Sequence, residues 1–290
     1  MNNLLEVNNL SKKYEKFELK DVSFKVSPGT IMGFIGRNGA GKTTTLKSIM
    51  NLIHFDKGEV IAFDKNMKEF ELENKQKIGF SLSEINYYPN KTINQLVNVT
   101  KRFYKDFDMD KFNKLCEMFS LDKTKKIEAL SSGMKVKYSV AIALSHNASL
   151  LILDEPTSGL DPISRDEVID LFHSIVKDGK KSILFSTHIT SDLDKCATDI
   201  TYISEGKIEY TGSKKEFIDL YLFVTGNLSF LSQKQKEKFI SFKEIENKFE
   251  GLIFKKDEKL FDLHVDKKEP DLEQIMVFLE RRKRDETFAL

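Results

Sequence analysis

The segment Gly36–Thr43, with the sequence GRNGAGKT, constrains the fold of this chain more than any other stretch. It has the form G-x-x-x-x-G-K-[ST] and lies between a short apolar run, Thr30–Ile35, and a stretch whose apolar residues recur at helical spacing. Glycines let the backbone N–H groups of such a loop turn inward around phosphates, and the start of a helix adds positive potential. Lys42 is expected to reach the β- and γ-phosphates of a nucleotide, and the Thr43 hydroxyl to bind Mg²⁺.

A second motif supplies carboxylates. The apolar run Leu150–Leu153 ends in Asp154 and Glu155, and such a continuous apolar run is typical of a buried parallel strand. Asp154 is expected to face the metal, and Glu155 to polarise a water for attack on the γ-phosphate. Because Ser182–Phe185 repeats the same strand form, the first 210 or so residues predict an α/β core with a mostly parallel sheet.

Composition excludes several other classes of protein. The chain has 290 residues, 40% of them apolar, so it can bury a sizeable core. Its net charge of +1 gives no electrostatic reason to bind nucleic acid. Two cysteines cannot form a disulfide framework, which favours a reducing cytosol. The N-terminal residues lack a signal pattern, and no apolar stretch approaches the roughly 20 residues that cross a bilayer, so we expect no membrane span.

Three regions follow from the hydrophobic patterns. Residues 1–212 are predicted to form the α/β domain, with a helical subdomain inserted at about 84–140. Residues 213–290 are predicted to form a small accessory α+β module. Within that module the patterns predict an amphipathic helix, a hairpin and a final helix. The amphipathic helix is predicted from the apolar residues of 239–249, and the hairpin from the two apolar runs Leu252–Phe254 and Leu260–Val265. The final helix is predicted from the apolar residues of Leu272–Leu279 and is expected to end at Arg281 and Arg282.

The motifs, in their order along residues 4 to 215, resemble those of the ATP-binding subunits of ABC transporters. The resemblance implies a P-loop NTPase fold and ATP with Mg²⁺ as cofactors. Tyr14 matches the aromatic residue that stacks on adenine, Leu130–Met134 the signature loop, Ser158–Asp161 the dimer-contact loop, and His188 the switch histidine near the γ-phosphate. The implied nucleotide contacts are Tyr14, Gly36, Asn38, Gly39, Ala40, Gly41, Lys42, Thr43, Thr44, Ser131, Ser132, Gly133 and Asp161. The implied catalytic residues are Glu155, His188 and Lys42, and the implied metal ligands are Thr43, Asp154 and Glu84.

Two positions depart from the family pattern. Ser83 stands where the family usually has Gln, and its side chain is too short to reach Mg²⁺ in the usual way, so Glu84 is the candidate substitute. In the signature loop, Ser132 replaces the usual Gly and Met134 the usual Gln. Ser131 and Gly133 remain, so a helix N-terminus can still present hydroxyl and N–H groups to a γ-phosphate.

The resemblance also implies partners. The signature loop lies in the helical insert and would complete the nucleotide site of a second subunit, so the ATPase is expected to dimerise around ATP, with itself or with a different subunit. A separate transmembrane permease subunit is expected to receive the motion, which places the chain on the cytoplasmic face of the cell membrane. An aromatic cluster could line a groove for that partner or pack the insert's own core. Its residues are Tyr87, Tyr88, Phe103, Tyr104 and Phe107.

The C-terminal segment, the single phosphate loop and the lack of a coiled-coil pattern indicate which kind of ABC protein this chain resembles. A soluble ribosome-acting ATPase of this class usually carries two such domains, and a chromosome or repair ATPase splits its halves with a long coiled coil. This chain has one phosphate loop and no sustained heptads between residues 44 and 130. Residues 269–278, EPDLEQIMVF, resemble the closing segment of ATPases that serve ABC-2-type bacterial exporters, including those of antimicrobial compounds and phenol-soluble-modulin peptides. Export of small amphipathic peptides or antimicrobial compounds is therefore expected, with an importer ATPase or a soluble ABC ATPase as alternatives.

Overall fold

The computed structural model describes residues 2–82, 88–261 and 264–288, with side chains described to residue 283. The chain divides into two compact units, Met1–Thr211 and Gly212–Leu290, and the division falls within the strand Lys207–Ser213. Each unit has a hydrophobic core of its own. One hydrophobic cluster in the first unit is formed by residues between 5 and 208, and one in the second by residues between 222 and 265.

Strands and helices alternate through most of the first unit. Its strands are β1 Leu5–Lys13, β2 Glu18–Val26, β3 Ile31–Ile35, β4 Lys57–Ala62, β5 Lys65–Asn66, β6 Ile78–Ser81, β7 Leu150–Asp154, β8 Ser182–Thr187, β9 Asp199–Ser204 and β10 Lys207–Ser213. Its helices are α1 Lys42–Ile49, α2 Glu71–Gln76, α3 Ile93–Thr100, α4 Met109–Met118, α5 Ser132–Ser145, α6 Pro162–Val176 and α7 Thr190–Cys196, with a 3₁₀ helix at Ile127–Ala129.

Two sheets form the first unit. The six-stranded sheet has the order β10-β9-β3-β8-β7-β6, and the pairings from β9 through β6 are all parallel. Every residue of β3, β7 and β8 is buried, as expected for parallel strands covered on both faces. The second sheet has the order β2-β1-β4-β5 with antiparallel pairing. Its apolar face packs against β3 and α1, where the rings of Phe24 and Phe34 stack 5.4 Å apart.

The segment between β6 and β7 carries the helices α3, α4 and α5. Ile93 and Val97 are the buried residues of α3, and Phe112, Leu115 and Cys116 those of α4. Each of these two helices therefore buries the face that its apolar spacing indicates. The N-termini are capped by side chains, with a capping box at the start of α3.

The second unit is an antiparallel sheet with short helices and one long one. Its strands are β11 Tyr221–Asn227, β12 Phe239–Ile245, β13 Lys248–Phe254 and β14 Val265–Lys268, in the order β12-β13-β11-β14. Its helices are α8 Lys214–Asp219, α9 Gln233–Lys236 and α10 Leu272–Phe288, with 3₁₀ helices at Leu228–Phe230 and Lys255–Leu260. Leu272, Ile275 and Phe278 bury one side of α10, and the ring of Phe278 lies 5.7 Å from that of Phe223 on β11.

The amphipathic helix predicted from the apolar residues of 239–249 is wrong, because this segment forms β12 and β13. The register of β12 against β13 shifts by one residue between Phe239 and Ser241. This bulge places Phe239 and Phe242 on one face, with ring centroids 5.1 Å apart, so the strand reproduces the three-residue spacing of a helix. Glu246, at φ 55°, makes the two-residue turn that joins the strands.

The hairpin predicted between Leu252–Phe254 and Leu260–Val265 is also wrong. The polar residues between them form the 3₁₀ helix Lys255–Leu260, and β14 pairs with β11 instead of β13. Since β13 and β14 are both antiparallel to β11, they run in the same direction on either side of it, and a hairpin cannot join such strands. The final helix exists, but it continues past the predicted end at Arg282 to Phe288. No helix in the described ranges has the length and apolar character that crossing a bilayer requires.

Deleting residues 213–290 is expected to leave the first unit folded, because its core cluster lies wholly between residues 5 and 208. The truncated chain should show one cooperative thermal transition by circular dichroism. The first unit within the full chain should melt with the same cooperativity. A truncated chain that melts without cooperativity would contradict the boundary.

Candidate functional site

The phosphate loop, residues 36–41, joins the end of β3 to the start of α1 at the carboxyl edge of the parallel sheet. Its glycines are required by close packing and by backbone conformation. A Cβ atom on Gly36 would lie 2.3 Å from the carbonyl oxygen of Ile203, and Gly41 has φ 113°. The side chains of Arg37 and Asn38 are exposed. No acidic residue lies in the first turn of α1, so the helix N-terminus keeps its positive potential for an anion.

Lys42, the first residue of α1, is buried with its ammonium group turned back into this loop. Its Nζ donates to the carbonyl oxygen of Gly36 at 2.8 Å and lies 3.4 Å from Glu155 Oε1. The side chain is only 6% exposed. A buried ammonium group surrounded by oxygen atoms is placed to exchange those oxygens for phosphate oxygens.

Thr43 and Asp154 meet across the edge of the sheet although 111 residues separate them in the chain. The Thr43 hydroxyl donates to Asp154 Oδ2 at 3.0 Å and lies 3.2 Å from Oδ1. Asp154, the last residue of β7, is 3% exposed. A hydroxyl and a carboxylate are hard oxygen ligands, which Mg²⁺ prefers when substrate phosphates complete its coordination.

This donor set fits a metal bound together with a nucleotide better than a metal held by protein alone. Over the described residues there is no group of three or more His, Cys, Asp or Glu side chains that could hold a metal ion. Glu84, the third predicted ligand, and Ser83 both lie outside the described residues. Thr43 and Asp154 are therefore the predicted ligands that the structure brings together.

Glu155 has a left-handed backbone, φ 51°, which turns the chain sharply at the end of β7. Its carboxylate lies between two cationic or hydrogen-bonding groups. Oε1 faces Lys42 Nζ, and Oε2 accepts from the Nδ1–H of His188 at 2.8 Å. The Glu155 side chain is 14% exposed and the His188 side chain 44%, so solvent reaches this pair from the histidine side. Glu155 thus contacts both of the other predicted catalytic residues, Lys42 and His188.

Ser186 is not among the residues predicted from the sequence for this site, but the structure places it there. It lies on β8, in register with Asp154 on β7, and is fully buried. Its hydroxyl lies 2.5 Å from Asp154 Oδ1 and accepts from the backbone N–H of Glu155 at 3.0 Å. Its position in the sequence could have indicated this role, since it stands two residues before His188 at the end of an apolar strand. The carboxyl ends of neighbouring parallel strands meet at one edge of the sheet, where Asp154 also lies.

The predicted signature loop and the predicted dimer-contact loop lead into α5 and α6, two helices that lie side by side. Ser131 caps α5 by accepting from the N–H of Met134, and Ser131 and Ser132 are exposed. Gly133 is buried, and a Cβ there would lie 3.4 Å from Ser164 of α6. Asp161 caps α6, and hydrogen bonds from Ser164 and then from Ile163 hold the pKa of this carboxyl below its usual range.

The predicted adenine-stacking residue lies far earlier in the chain. Tyr14 follows β1 and is 44% exposed, with Lys12 Nζ 5.5 Å from its ring centroid. Its backbone N–H donates to the carbonyl of Phe17 at 2.8 Å, which closes a short turn before β2. The Tyr14 side chain is thus partly exposed, with the Lys12 ammonium group over its ring.

Two roles are predicted for the aromatic cluster of the helical insert, packing of the insert's own core and a groove for a partner, and its residues differ in burial. Tyr104 stacks on the buried His146 at 3.8 Å between centroids, and burial lowers the pKa of that histidine. Phe107 packs against Phe112. Tyr88 and Phe103 are instead exposed, and Tyr87 lies outside the described residues. Part of the cluster therefore packs within the insert, and part faces outward.

The chain is similar in sequence to known proteins over most of its length. A sequence profile described as ABC transporter matches residues 19–158. The ABC transporter ATP-binding protein YtrB of Bacillus subtilis (strain 168) is 31% identical over 220 residues, covering 76% of this chain and 75% of YtrB. The bacitracin transport ATP-binding protein BcrA of Bacillus licheniformis is 34% identical over 211 residues, covering 72% of this chain and 69% of BcrA.

Solved structures show the same fold. One described as the ATP-binding subunit of an ABC transporter has a TM-score of 0.67 at 25% identity and covers 73% of this chain and 91% of that one. The ATP-binding cassette MJ0796 was solved as a dimer in a post-hydrolysis state bound to ADP and Pi. It has a TM-score of 0.63 at 23% identity, and the match covers 72% of this chain and 98% of MJ0796. The profile match spans the phosphate loop, Ser131–Gly133 and the carboxylates Asp154 and Glu155.

Proposed function

This chain belongs to the family of ABC transporter ATP-binding proteins, which are ATPases that use ATP with Mg²⁺, and we propose that it is the motor subunit of an ABC exporter. The observation that carries the site assignment is the contact of the Glu155 carboxylate with both Lys42 and His188, beside the Thr43–Asp154 pair. These contacts join an ammonium group, two carboxylates, an imidazole and a hydroxyl at one edge of the sheet, which supports the proposed roles of phosphate binding, general base and metal ligands.

ATP binding would use groups that are already placed at the loop. The backbone of Gly36–Gly41 surrounds the phosphates, aided by Asn38, Gly39, Ala40 and Thr44, and Tyr14 stacks on adenine. Lys42 exchanges the Gly36 carbonyl and Glu155 for the β- and γ-phosphates. Thr43 and Asp154 would hold Mg²⁺, which when bound would neutralise charge on the β- and γ-phosphates.

Hydrolysis would depend on Glu155. In the structure its carboxylate is held by Lys42 on one side and His188 on the other. When Lys42 turns to the phosphates, the carboxylate loses that partner and can accept a proton from an attacking water. His188 keeps the carboxylate oriented through Nδ1–H, so the base stays near the γ-phosphate.

A second subunit would complete the site. Ser131, Ser132 and Gly133 stand at the start of α5 with both serines exposed, a group able to donate to a γ-phosphate across an interface. Asp161 starts the neighbouring helix, and its contact with Ser164 would transmit closure to α6. We propose a dimer of identical or different ATPase subunits that closes around ATP and opens after hydrolysis.

The transport direction rests on similarity to exporters. ATP-binding subunits of this family act with separate permease components. BcrA, by its name, serves bacitracin transport, and the closing segment of this chain resembles that of ABC-2-type exporter ATPases. We propose that the chain works at the cytoplasmic face of the cell membrane, on a transmembrane permease that exports small amphipathic peptides or antimicrobial compounds, and that it binds no nucleic acid. An importer ATPase or a soluble ABC ATPase are the alternatives.

The test is to extract the chain from its native membranes in mild detergent and to identify what co-purifies. A polytopic membrane protein that changes the ATPase rate is the expected result. A ribosomal or wholly soluble partner would contradict the transport proposal. To separate export from import, cells lacking the chain should become more sensitive to amphipathic antimicrobial peptides. Unchanged sensitivity together with lost uptake of a nutrient would favour the importer.

A further inference from the structure

We infer that Ser186 is the positioning residue that fixes the two carboxylates of this site relative to each other. The inference rests on the proposed function, in which Asp154 faces Mg²⁺ and Glu155 the attacking water. Ser186 contacts both residues at once, through one hydroxyl group. Its Oγ donates to Asp154 Oδ1 at 2.5 Å and accepts from the Glu155 backbone N–H at 3.0 Å.

The first contact sets the direction of the Asp154 carboxylate. A hydrogen bond to Oδ1 restricts rotation about the Cβ–Cγ bond, so Oδ2 keeps a constant orientation toward Thr43, whose hydroxyl donates to it at 3.0 Å. Residues that hold a metal-binding carboxylate by hydrogen bonds typically contribute a factor of about 10 to 100 to metal affinity. Ser186 is in this position with respect to Asp154.

The second contact holds the turn at Glu155. Glu155 directly follows the last residue of β7 and has a left-handed backbone, φ 51°. Its carboxylate reaches Lys42 while that of Asp154 reaches Thr43, both at the start of α1. Its N–H is bonded by both the hydroxyl and the carbonyl oxygen of Ser186, at 3.0 and 3.1 Å, which holds a conformation that a non-glycine residue rarely adopts.

The strand offers a matched control. Ser182, at the other end of β8, is equally buried and also makes two hydrogen bonds with its hydroxyl. It donates to the carbonyl of Ser27 at 2.8 Å and accepts from the N–H of Thr30 at 3.3 Å. Removing either hydroxyl takes the same group from the same strand, but only Ser186 contacts Asp154 and Glu155.

The experiment measures Mn²⁺ binding in the presence of ADP, by the loss of the free-Mn²⁺ electron paramagnetic resonance signal, in the full chain. Ser186→Ala is expected to weaken Mn²⁺ binding by about tenfold or more. Ser182→Ala should stay within about twofold of the wild type, and Ser186→Thr, which keeps the hydroxyl, should recover most of the affinity. The Mg²⁺ concentration that half-saturates ATP hydrolysis should rise in parallel with the Mn²⁺ dissociation constant.

Equal Mn²⁺ affinity in Ser186→Ala and Ser182→Ala would overturn the inference, whatever happens to the melting temperature. If Ser186→Ala does not fold, Ser186→Cys replaces it, because a thiol is a weaker donor than a hydroxyl. Wild-type affinity in Ser186→Cys would likewise overturn the inference. A wild-type chain that binds neither ADP nor Mn²⁺ with ADP would instead contradict the proposed site itself, and the role of Ser186 would fall with it.

Discussion

Replacing Glu155 by glutamine is expected to lower the rate of ATP hydrolysis by about 100- to 1,000-fold while leaving ATP binding intact. A positioned general base contributes a factor of this size, and an amide cannot accept the proton. Binding should persist because the groups placed to contact phosphate, Lys42 and the phosphate loop, are unchanged. Glutamine also keeps an oxygen that can accept from the Nδ1–H of His188, a contact of 2.8 Å in the structure.

Phosphate release at saturating ATP measures the hydrolysis rate, and calorimetric titration with ATP measures binding. Glu246→Gln is the matched control, because Glu246 has nearly the same left-handed backbone, φ 55° against 51°, and lies in the second unit. It should hydrolyse ATP at the wild-type rate. Near-normal hydrolysis by Glu155→Gln would remove this residue from the role of base.

The same variant should accumulate as an ATP-bound dimer. If hydrolysis opens the dimer, a subunit that binds ATP without cleaving it has no route to the open state. Light scattering after gel filtration should then show twice the monomer mass with ATP and Mg²⁺, and the monomer mass with ADP. A monomer under both conditions would contradict dimerisation around ATP by identical subunits and direct attention to a different ATPase partner.

Replacing Lys42 by alanine is expected to weaken ATP binding by about 100-fold. Hydrogen bonds to charged groups contribute about 1.5–3 kcal/mol, and 1.4 kcal/mol corresponds to a factor of ten. Lys42 is buried and within reach of Glu155 and the carbonyl oxygens of Gly36 and Arg37. Its loss should also lower the melting temperature of the nucleotide-free protein, because those oxygens lose a buried partner.

Calorimetric titration with ATP checks the affinity, and differential scanning calorimetry the melting temperature. Lys47→Ala is the control, since Lys47 lies in the last turn of the same helix, away from the phosphate loop. Binding should be unchanged in that variant. An unaltered dissociation constant in Lys42→Ala would show that the backbone of the phosphate loop suffices for binding.

Much of the nucleotide site could be predicted from the sequence because its parts are local motifs. The phosphate loop needs its glycines within a few residues, so its strand–loop–helix form is visible in the spacing alone. Asp154 and Glu155 stand at the end of a continuous apolar run, and β7 is buried at every position as that run predicts. The same logic failed at 239–249, because a one-residue bulge in β12 gave a strand the apolar spacing of a helix.

The sequence by itself determined which chemical groups the site contains: a phosphate loop, a lysine, a metal-type aspartate, a glutamate and a histidine. The tertiary structure alone decided which of them touch. Ser186 and Asp154, 32 residues apart, become hydrogen-bonded partners because β7 and β8 are neighbours in register. Strand order also placed β11 between β13 and β14, which excluded the predicted hairpin. Local patterns record contacts within a few residues, whereas strand order is set by packing of the whole sheet, which no single segment encodes.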